Sequence, residues 1–307
     1  PHSGTHPVFV PILHPALRWF TPGSSAVSWF GPLWPALARF APFAVGAETD
    51  YGCDAFTQRE CPMDELVLRQ DDDGLTTLTL NRPEALNALS PQMFVELRAH
   101  IDAIAEATDE VGCVILHGAG RSFSAGNDLK AIAAGERAPS PYFQAETLEA
   151  IEALPQPVIA AVHGHCYTGS LELVLACDLL VAAEDARFSD THGKWSMAPT
   201  WGMSQRLPRR VGIVKAKELM FSARVINGTE AVAIGLANKC VPADDLLAEA
   251  TSLAREFLAN SWHTLRADKW LVNNGQSKSL AEGLRFEREE GPGTGPDLQD
   301  RLEQFGR

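Results

Sequence analysis

The stretch HGHCYTGSLELVLACD (residues 163–178) decides the fold, and it follows an apolar segment, PVIAAV (157–162), of the kind that forms buried strands. Glycines then lead into an apolar helical pattern, so we expect Gly169 at the first helical turn. Free N–H groups and the positive end of the helix dipole can meet an anion or a polarised carbonyl there. Glu172 lies one turn further on in an apolar run, where a carboxylate must be paired, pKa-shifted or functional. The stretch predicts half of an active site.

Composition narrows the class of protein. The chain has 307 residues, enough for one large core with a small appendage. Its net charge of −13 argues against a general nucleic-acid surface. Six cysteines form no C-x-x-C pair, and three of them lie in apolar patterns. We therefore expect reduced thiols and a cytoplasmic protein.

Residues 1–62 differ from the rest, because they lack Met and Lys and are rich in Pro, Trp and Phe. The prolines interrupt every apolar run before it reaches membrane-spanning length. Three interpretations stay open for this N-terminal extension. It is an extension without a role in the chemistry, an arm that packs on its own or a neighbouring subunit, or an element that contacts a membrane surface.

Regular patterns begin at residue 66. Segments 66–68 and 75–80 alternate as a hairpin would, with 71–74 as its turn. Ser90 as N-cap and Pro91 at the first helical position open a helix. Further strands are predicted at 113–117, 157–162, 179–183, 186–189 and 239–241, with helices at 142–153 and over most of 211–307. This alternation indicates an α/β core with a helical tail.

Three segments in this order and spacing resemble the crotonase superfamily, the enoyl-CoA hydratase/isomerase family: LNRPEALNAL (80–89), FSAGNDLK (123–130) and VHGHCYTGSLELVLACDLLVA (162–182). The resemblance covers about residues 64–290. It implies a spiral of β-β-α turns that forms two roughly perpendicular sheets, here as a core of residues 63–245. A C-terminal helical region, 246–307, would serve trimerisation, giving a homotrimer or a hexamer (a dimer of trimers).

The resemblance also implies a substrate, an acyl-CoA thioester whose carbonyl is polarised by two backbone N–H groups. Matching residue by residue places these donors at Asn127 and Gly169. The implied CoA-binding residues are Arg82, Ala125, Asp128, Leu129 and Lys130. Ordinary solvated charge stays an alternative for Arg82 and Lys130, and Asp128 alternatively caps its own loop.

Hydratases of this family generally use two carboxylates. Glu172 matches the first, but the second position falls on His192, with Asp190 two residues out of register. Histidine can serve as a general base near neutral pH. We therefore expect a hydratase that adds water to a 2-enoyl-CoA through Glu172 and His192. A Δ3-Δ2-enoyl-CoA isomerase, another thioester-enolate enzyme and a non-catalytic acyl-CoA-binding protein stay open as alternatives.

No cofactor is expected beyond the CoA moiety of the substrate. No metal site is predicted either, since no carboxylate or cysteine completes a spaced set with the histidines at 163, 165 and 192. Four large residues of the loop at 190–202 and its end either line an acyl pocket or pack under the loop. They are Trp195, Met197, Trp201 and Met203.

Overall fold

A computed structural model describes residues 65–305 of the chain, so the interpretations of residues 1–62 lie outside the described residues. This part of the chain contains strands β1 (Val67–Asp72), β2 (Leu75–Leu80), β3 (Cys113–Gly118), β4 (Val158–Val162), β5 (His165–Tyr167), β6 (Leu179–Ala183), β7 (Arg187–Ser189), β8 (Ile226–Asn227) and β9 (Lys239–Val241). One sheet has the order β1-β2-β3-β4-β6-β9 and a smaller one the order β5-β7-β8. Within the larger sheet only β1 and β2 are antiparallel.

The helices of the described chain lie between and after these strands. They are α1 (Pro91–Glu106), α2 (Leu129–Ala133), α3 (Phe143–Ala153), α4 (Gly169–Leu175), α5 (Met203–Val211), α6 (Ile213–Ser222), α7 (Gly228–Ala233), α8 (Leu246–Leu258), α9 (Trp262–Gly275), α10 (Leu280–Glu290) and α11 (Leu298–Phe305). Short 3-10 turns occur at Pro83–Ala85, His192–Trp195 and Ala243–Asp245. The α/β alternation predicted from the sequence is confirmed.

Local signals place the first elements as predicted. The hairpin turn is tighter than the four residues expected, because Asp73 and Gly74 both have positive φ and pairing continues to Asp72 and Leu75. Two central residues with positive φ suit the right-handed twist of the flanking strands. At the start of α1, the Ser90 hydroxyl accepts the Met93 N–H at 3.2 Å.

The central strands β3, β4 and β6 of the larger sheet are buried on both faces, as parallel strands usually are. All five residues of β4 are buried. One face packs against side chains such as Leu97 of α1 and Leu173 of α4. The other packs against α8, where Ala250 and Ala254 are fully buried and let the helix approach closely. The sheet is thus a rigid base from which β4 leads into β5 and the turn before α4.

The end of the chain is different. Helices α10 and α11 bury none of their residues, and Phe305 is 92% exposed. A C-terminal region that starts at residue 246 and forms a trimer stays a prediction. No helix within residues 65–305 combines the length and apolarity that a bilayer span requires. The four cysteines in this part of the chain are free thiols: Cys113, Cys166, Cys177 and Cys240.

Candidate active site

The turn between β5 and α4 holds its backbone in an uncommon conformation. Thr168 has φ 52° and ψ −105°, which a residue with a Cβ seldom adopts. Its N–H donates to the Ser189 carbonyl at 2.9 Å, and its hydroxyl accepts the Thr191 N–H at 3.0 Å. The end of β7 and Thr191 just after it therefore hold the turn in place, and with it the amide of Gly169 at the first position of α4.

A second loop turns the amide of Asn127 outward. Leu89 binds the residues on either side of Asn127. Its N–H donates to the Gly126 carbonyl at 2.8 Å, and its carbonyl accepts the Asp128 N–H at 3.0 Å. The N–H of Asn127 therefore points away from Leu89. Gly126 has φ 98°, and a Cβ there would lie 2.4 Å from the Tyr167 carbonyl oxygen, so only glycine fits.

The two amides border one small space. A methyl group placed on Gly169 would lie 3.4 Å from the nitrogen of Asn127. A methyl group on Gly126 would lie 3.7 Å from the nitrogen of Gly169. Neither amide has an acceptor among the hydrogen bonds within residues 65–305. The structure thus brings together the two donors predicted from the sequence, in an arrangement that suits a developing oxyanion.

Glu172 projects from α4 one turn after Gly169 and is 1% exposed. Its Oε1 accepts two backbone N–H groups, from Trp201 and Met203, each at 3.0 Å. Burial raises the pKa of Glu172 above its usual range, and these hydrogen bonds together with His192 offset only part of that rise. Oε1 is therefore held by the backbone, while Oε2 faces the other predicted residue.

His192 lies opposite, with its Nε2 3.8 Å from Glu172 Oε2. Its Nδ1 is 2.7 Å from Asp190 Oδ1, which also accepts the His192 backbone N–H at 3.1 Å. A carboxylate can only accept, so Nδ1 carries the proton of this bond. Burial alone lowers the pKa of His192, but the Asp190 hydrogen bond and the charges of Asp190 and Glu172 outweigh it and raise that pKa.

Sequence reasoning notes Asp190 only as a carboxylate two residues out of register, and it misses the contact of Asp190 with the His192 ring. Asp190 is 2% exposed and contacts the histidine side chain directly, although it is out of register for the second carboxylate. The signal available in the sequence is the spacing D-x-H, since an aspartate readily bonds a group two residues on. The structure thus contains an Asp190–His192–Glu172 series in place of two facing carboxylates.

Known proteins share this architecture. The chain matches the family described as enoyl-CoA hydratase/isomerase over residues 70–291. The chain belongs to this family. It is 37% identical over 227 residues to a probable enoyl-CoA hydratase of Mycobacterium bovis, covering 73% of this chain and 87% of that protein. To a crotonyl-CoA hydratase of Syntrophomonas wolfei it is 34% identical over 229 residues, covering 73% and 87% respectively.

Solved structures agree with the sequence relatives. The crystal structure of an enoyl-CoA hydratase from Bacillus anthracis has a TM-score of 0.74 to this chain at 34% identity. The match covers 78% of this chain and 96% of the other. The predicted superfamily and its fold class are thereby confirmed, whereas the N-terminal extension lies outside the matched residues.

Next to the amide pair of this crotonase-superfamily member, Asp128 caps α2. Its Oδ1 accepts the N–H groups of Lys130 and Ala131, each at 2.9 Å, and its other oxygen is ion-paired with Arg82. Burial alone would raise the pKa of Asp128, but the backbone N–H groups and Arg82 bring it below its ordinary value. Asp128 therefore has the capping role that was one of its two predicted roles, and Arg82 is not a free cation.

A surface cavity of about 350 Å³ collects most of the predicted CoA-binding residues. Its lining consists of Arg82, Glu84, Ala85, Ala88, Asn127, Asp128, Leu129 and Lys130. The exposed ammonium of Lys130 has no ion pair within the described part of the chain. Ala125 is half-buried, donates its N–H to the Leu86 carbonyl at 2.9 Å, and does not line the cavity. The cavity therefore connects one amide of the pair to a lysine.

The four large loop residues separate into two kinds. Met203 is fully buried, and Trp201 is half-buried against the core. Trp195 is 62% exposed and Met197 is 41% exposed. Packing accounts for Met203, while Trp201 lies beside Gly169, as described below.

Proposed function

We propose that the protein is an enoyl-CoA hydratase that adds water to a 2-enoyl-CoA thioester. The observation that carries this proposal is the convergence of the Asn127 and Gly169 amides beside Glu172, which faces His192. Two backbone donors suit the oxygen of a thioester enolate, and losing one such donor typically costs about 10²–10³ in rate. The hydratase names of the relatives support the same reaction.

The proton balance follows from the two facing groups. The thioester carbonyl accepts both amide hydrogen bonds, and a water molecule lies to one side of Glu172 Oε2 and His192 Nε2, within hydrogen-bond reach of both atoms. The water oxygen attacks carbon 3 while its proton passes to this pair, and carbon 2 of the enolate takes a proton from the pair. Burial raises the pKa of Glu172 and the Asp190 hydrogen bond raises that of His192, and both shifts favour a proton on the pair. The net change is the addition of H and OH across the double bond.

Asp190 holds the histidine in the orientation that this scheme needs. Because Nδ1 is committed to the Asp190 carboxylate at 2.7 Å, Nε2 is the nitrogen directed at Glu172. The gap of 3.8 Å is too long for a direct hydrogen bond, so a third group is needed to connect the two side chains. We assign that place to the attacking water.

The CoA moiety is proposed to bind along the cavity at the Asn127 loop, with no further cofactor. Lys130, which has no ion pair within residues 65–305, is proposed to contact a phosphate. Arg82 keeps Asp128, and so the start of α2, in position through their ion pair. Ala125 and Leu129 border the same loop, and Leu129 is 42% exposed.

We also propose that the protein is a homotrimer or a pair of trimers in the cytoplasm. The exposed apolar residues of α10 and α11, such as Leu280 at 80%, support an assembly through the C-terminal region. Size-exclusion chromatography with light scattering tests it. A mass of three or six chains is expected, and a monomer at micromolar concentration would refute the assembly.

The reaction is tested with the wild-type protein and a panel of substrates. Hydration of crotonyl-CoA with uptake of labelled oxygen from water is expected. Turnover of 3-enoyl-CoA without label uptake would instead identify an isomerase, an alternative that the single matched carboxylate also fits. Tight binding of acyl-CoA without any turnover would identify a non-catalytic binding protein.

A further inference from the structure

The indole of Trp201 lies directly beside the oxyanion glycine. A methyl group placed on Gly169 would be 2.5 Å from Trp201 Cζ3 and 3.1 Å from Cε3. The same methyl group would be 3.4 Å from the nitrogen of Asn127. The edge of the indole and the two amides therefore border the same small space, and a carbonyl oxygen bound by the amides would lie next to the ring.

Several contacts hold the indole in this place. Its ring meets Phe94 edge to face, with centroids 5.1 Å apart, and Phe94 is 1% exposed on α1. The backbone N–H of Trp201 donates to Glu172 Oε1 at 3.0 Å, and the backbone carbonyl of Trp201 accepts from Arg206 at 2.8 Å. Arg206 is in turn ion-paired with Glu152 of α3 at 2.7 Å. The backbone of Trp201 is thus anchored on both sides, and its ring is braced by a core residue.

The cavity at the Asn127 loop sets the direction in which a bound CoA moiety leaves the amide pair. The cavity of about 350 Å³ reaches Asn127 from Lys130, and its lining includes neither Trp201 nor Glu172. A thioester that extends its CoA moiety through this cavity directs its acyl group away from it. On this placement the acyl group is directed at the half-buried indole, which packs against the buried Phe94.

We propose that Trp201 forms the end wall of the acyl site and limits the substrate to short 2-enoyl groups of about the size of crotonyl. This inference rests on the proposed function, because it places the acyl group of that substrate. An acyl chain that continues beyond the reacting carbons must displace the indole from Phe94. A close-packed wall of this kind does not yield to extra methylenes without rearrangement.

The experiment measures chain-length dependence in wild type, Trp201→Ala and Trp201→Phe. The kcat/KM for crotonyl-, 2-hexenoyl- and 2-octenoyl-CoA is expected to fall steeply in wild type, by roughly 10-fold or more per added pair of carbons. Trp201→Ala is expected to raise the ratio of kcat/KM for 2-octenoyl-CoA to kcat/KM for crotonyl-CoA by roughly 10-fold or more. Trp201→Phe is expected to raise the same ratio by an intermediate factor. Trp195→Ala is the matched control, since that tryptophan lies in the same loop but is 62% exposed, and its profile should equal that of wild type.

Calorimetric binding of butyryl-, hexanoyl- and octanoyl-CoA supplies a readout that needs no turnover. Tighter binding of butyryl-CoA than of the longer acyl-CoAs in wild type, with a smaller difference in Trp201→Ala, supports the wall. This holds even if crotonyl-CoA is not hydrated, since that result would refute only the proposed reaction. Equal kcat/KM for all three enoyl substrates in wild type overturns the wall. So does a Trp201→Ala profile identical to that of wild type. If Trp201→Ala does not fold, the wild-type and Trp201→Phe profiles decide by the same criteria.

Discussion

Replacing Asp190 with asparagine removes one charge from the Asp190–His192–Glu172 series and keeps an oxygen that can accept from His192 Nδ1. In the wild type that carboxylate lies 2.7 Å from Nδ1, and the His192 side chain is only 12% exposed. A hydrogen bond to a charged group is worth about 1.5–3 kcal/mol. One pH unit of pKa corresponds to about 1.4 kcal/mol. Asparagine keeps a neutral hydrogen bond worth about 0.5–1.5 kcal/mol, so the loss is about 1–1.5 kcal/mol. We therefore expect Asp190→Asn to lower the pKa of His192 by about 1 pH unit.

The assay is an NMR titration of the His192 ring, assigned with a His192→Gln variant, together with the pH dependence of kcat/KM. The ionisation assigned to His192 should move to lower pH in both measurements. A merely structural role for Asp190 would change stability and leave the ring pKa in place. An unchanged His192 pKa in folded Asp190→Asn protein would refute the reasoning.

The same pair predicts the direction of a stability change. The pKa of His192 is raised in the folded state above about 6.5, its value in an unfolded chain. Its contribution to stability is then fully present below about pH 6.5 and is lost as the pH rises through the folded pKa. Asp190→Asn should therefore reduce the free energy of unfolding more at about pH 5.5 than at about pH 9.

Three further substitutions test other contacts. Gly169→Ala should lower kcat by about 10²–10³, because its methyl group would lie 2.5 Å from Trp201 Cζ3 and 3.4 Å from the Asn127 nitrogen, which forces the Gly169 amide out of position. A wild-type kcat would contradict the oxyanion assignment. Lys130→Ala should raise the KM of crotonyl-CoA about 2- to 5-fold, in line with the loss of one surface ion pair. The control Lys217→Ala, at an exposed lysine, should leave the KM unchanged. Equal KM values for both variants would show that Lys130 is not part of the CoA site. Ser90→Ala should lower the free energy of unfolding by about 1 kcal/mol, since it removes the cap on the Met93 N–H, and a chemical-denaturation curve that matches wild type would contradict that role.

Much of the site is encoded over short distances along the chain, and those parts are predictable. Gly169 and Glu172 are one helical turn apart, so the glycine-to-helix pattern is enough to place both on one side of α4. The start of α1 at Ser90 follows from its cap in the same way. Asn127 required the resemblance to a family, since only long-range contacts bring its amide to Gly169.

The parts that sequence reasoning misses depend on the backbone between the motifs. Asp190 is out of register when residues are counted along an extended alignment. The chain bends into the 3-10 turn at His192–Trp195, however, and the carboxylate of Asp190 reaches the His192 ring. The amides of Trp201 and Met203 hold Glu172, and a backbone amide leaves no mark in the sequence. The place of the Trp201 indole beside Gly169 is equally a property of the fold.

The most direct test of the central claim is the rate at which Glu172→Gln hydrates crotonyl-CoA. Glutamine retains an Oε1 that can accept the N–H groups of Trp201 and Met203, both 3.0 Å away in the wild type, so the fold should persist. The variant loses the carboxylate that exchanges a proton with water. A fall in kcat of about 10²–10⁴ with unchanged binding of butyryl-CoA is predicted. A kcat close to that of wild type would contradict the assignment of Glu172.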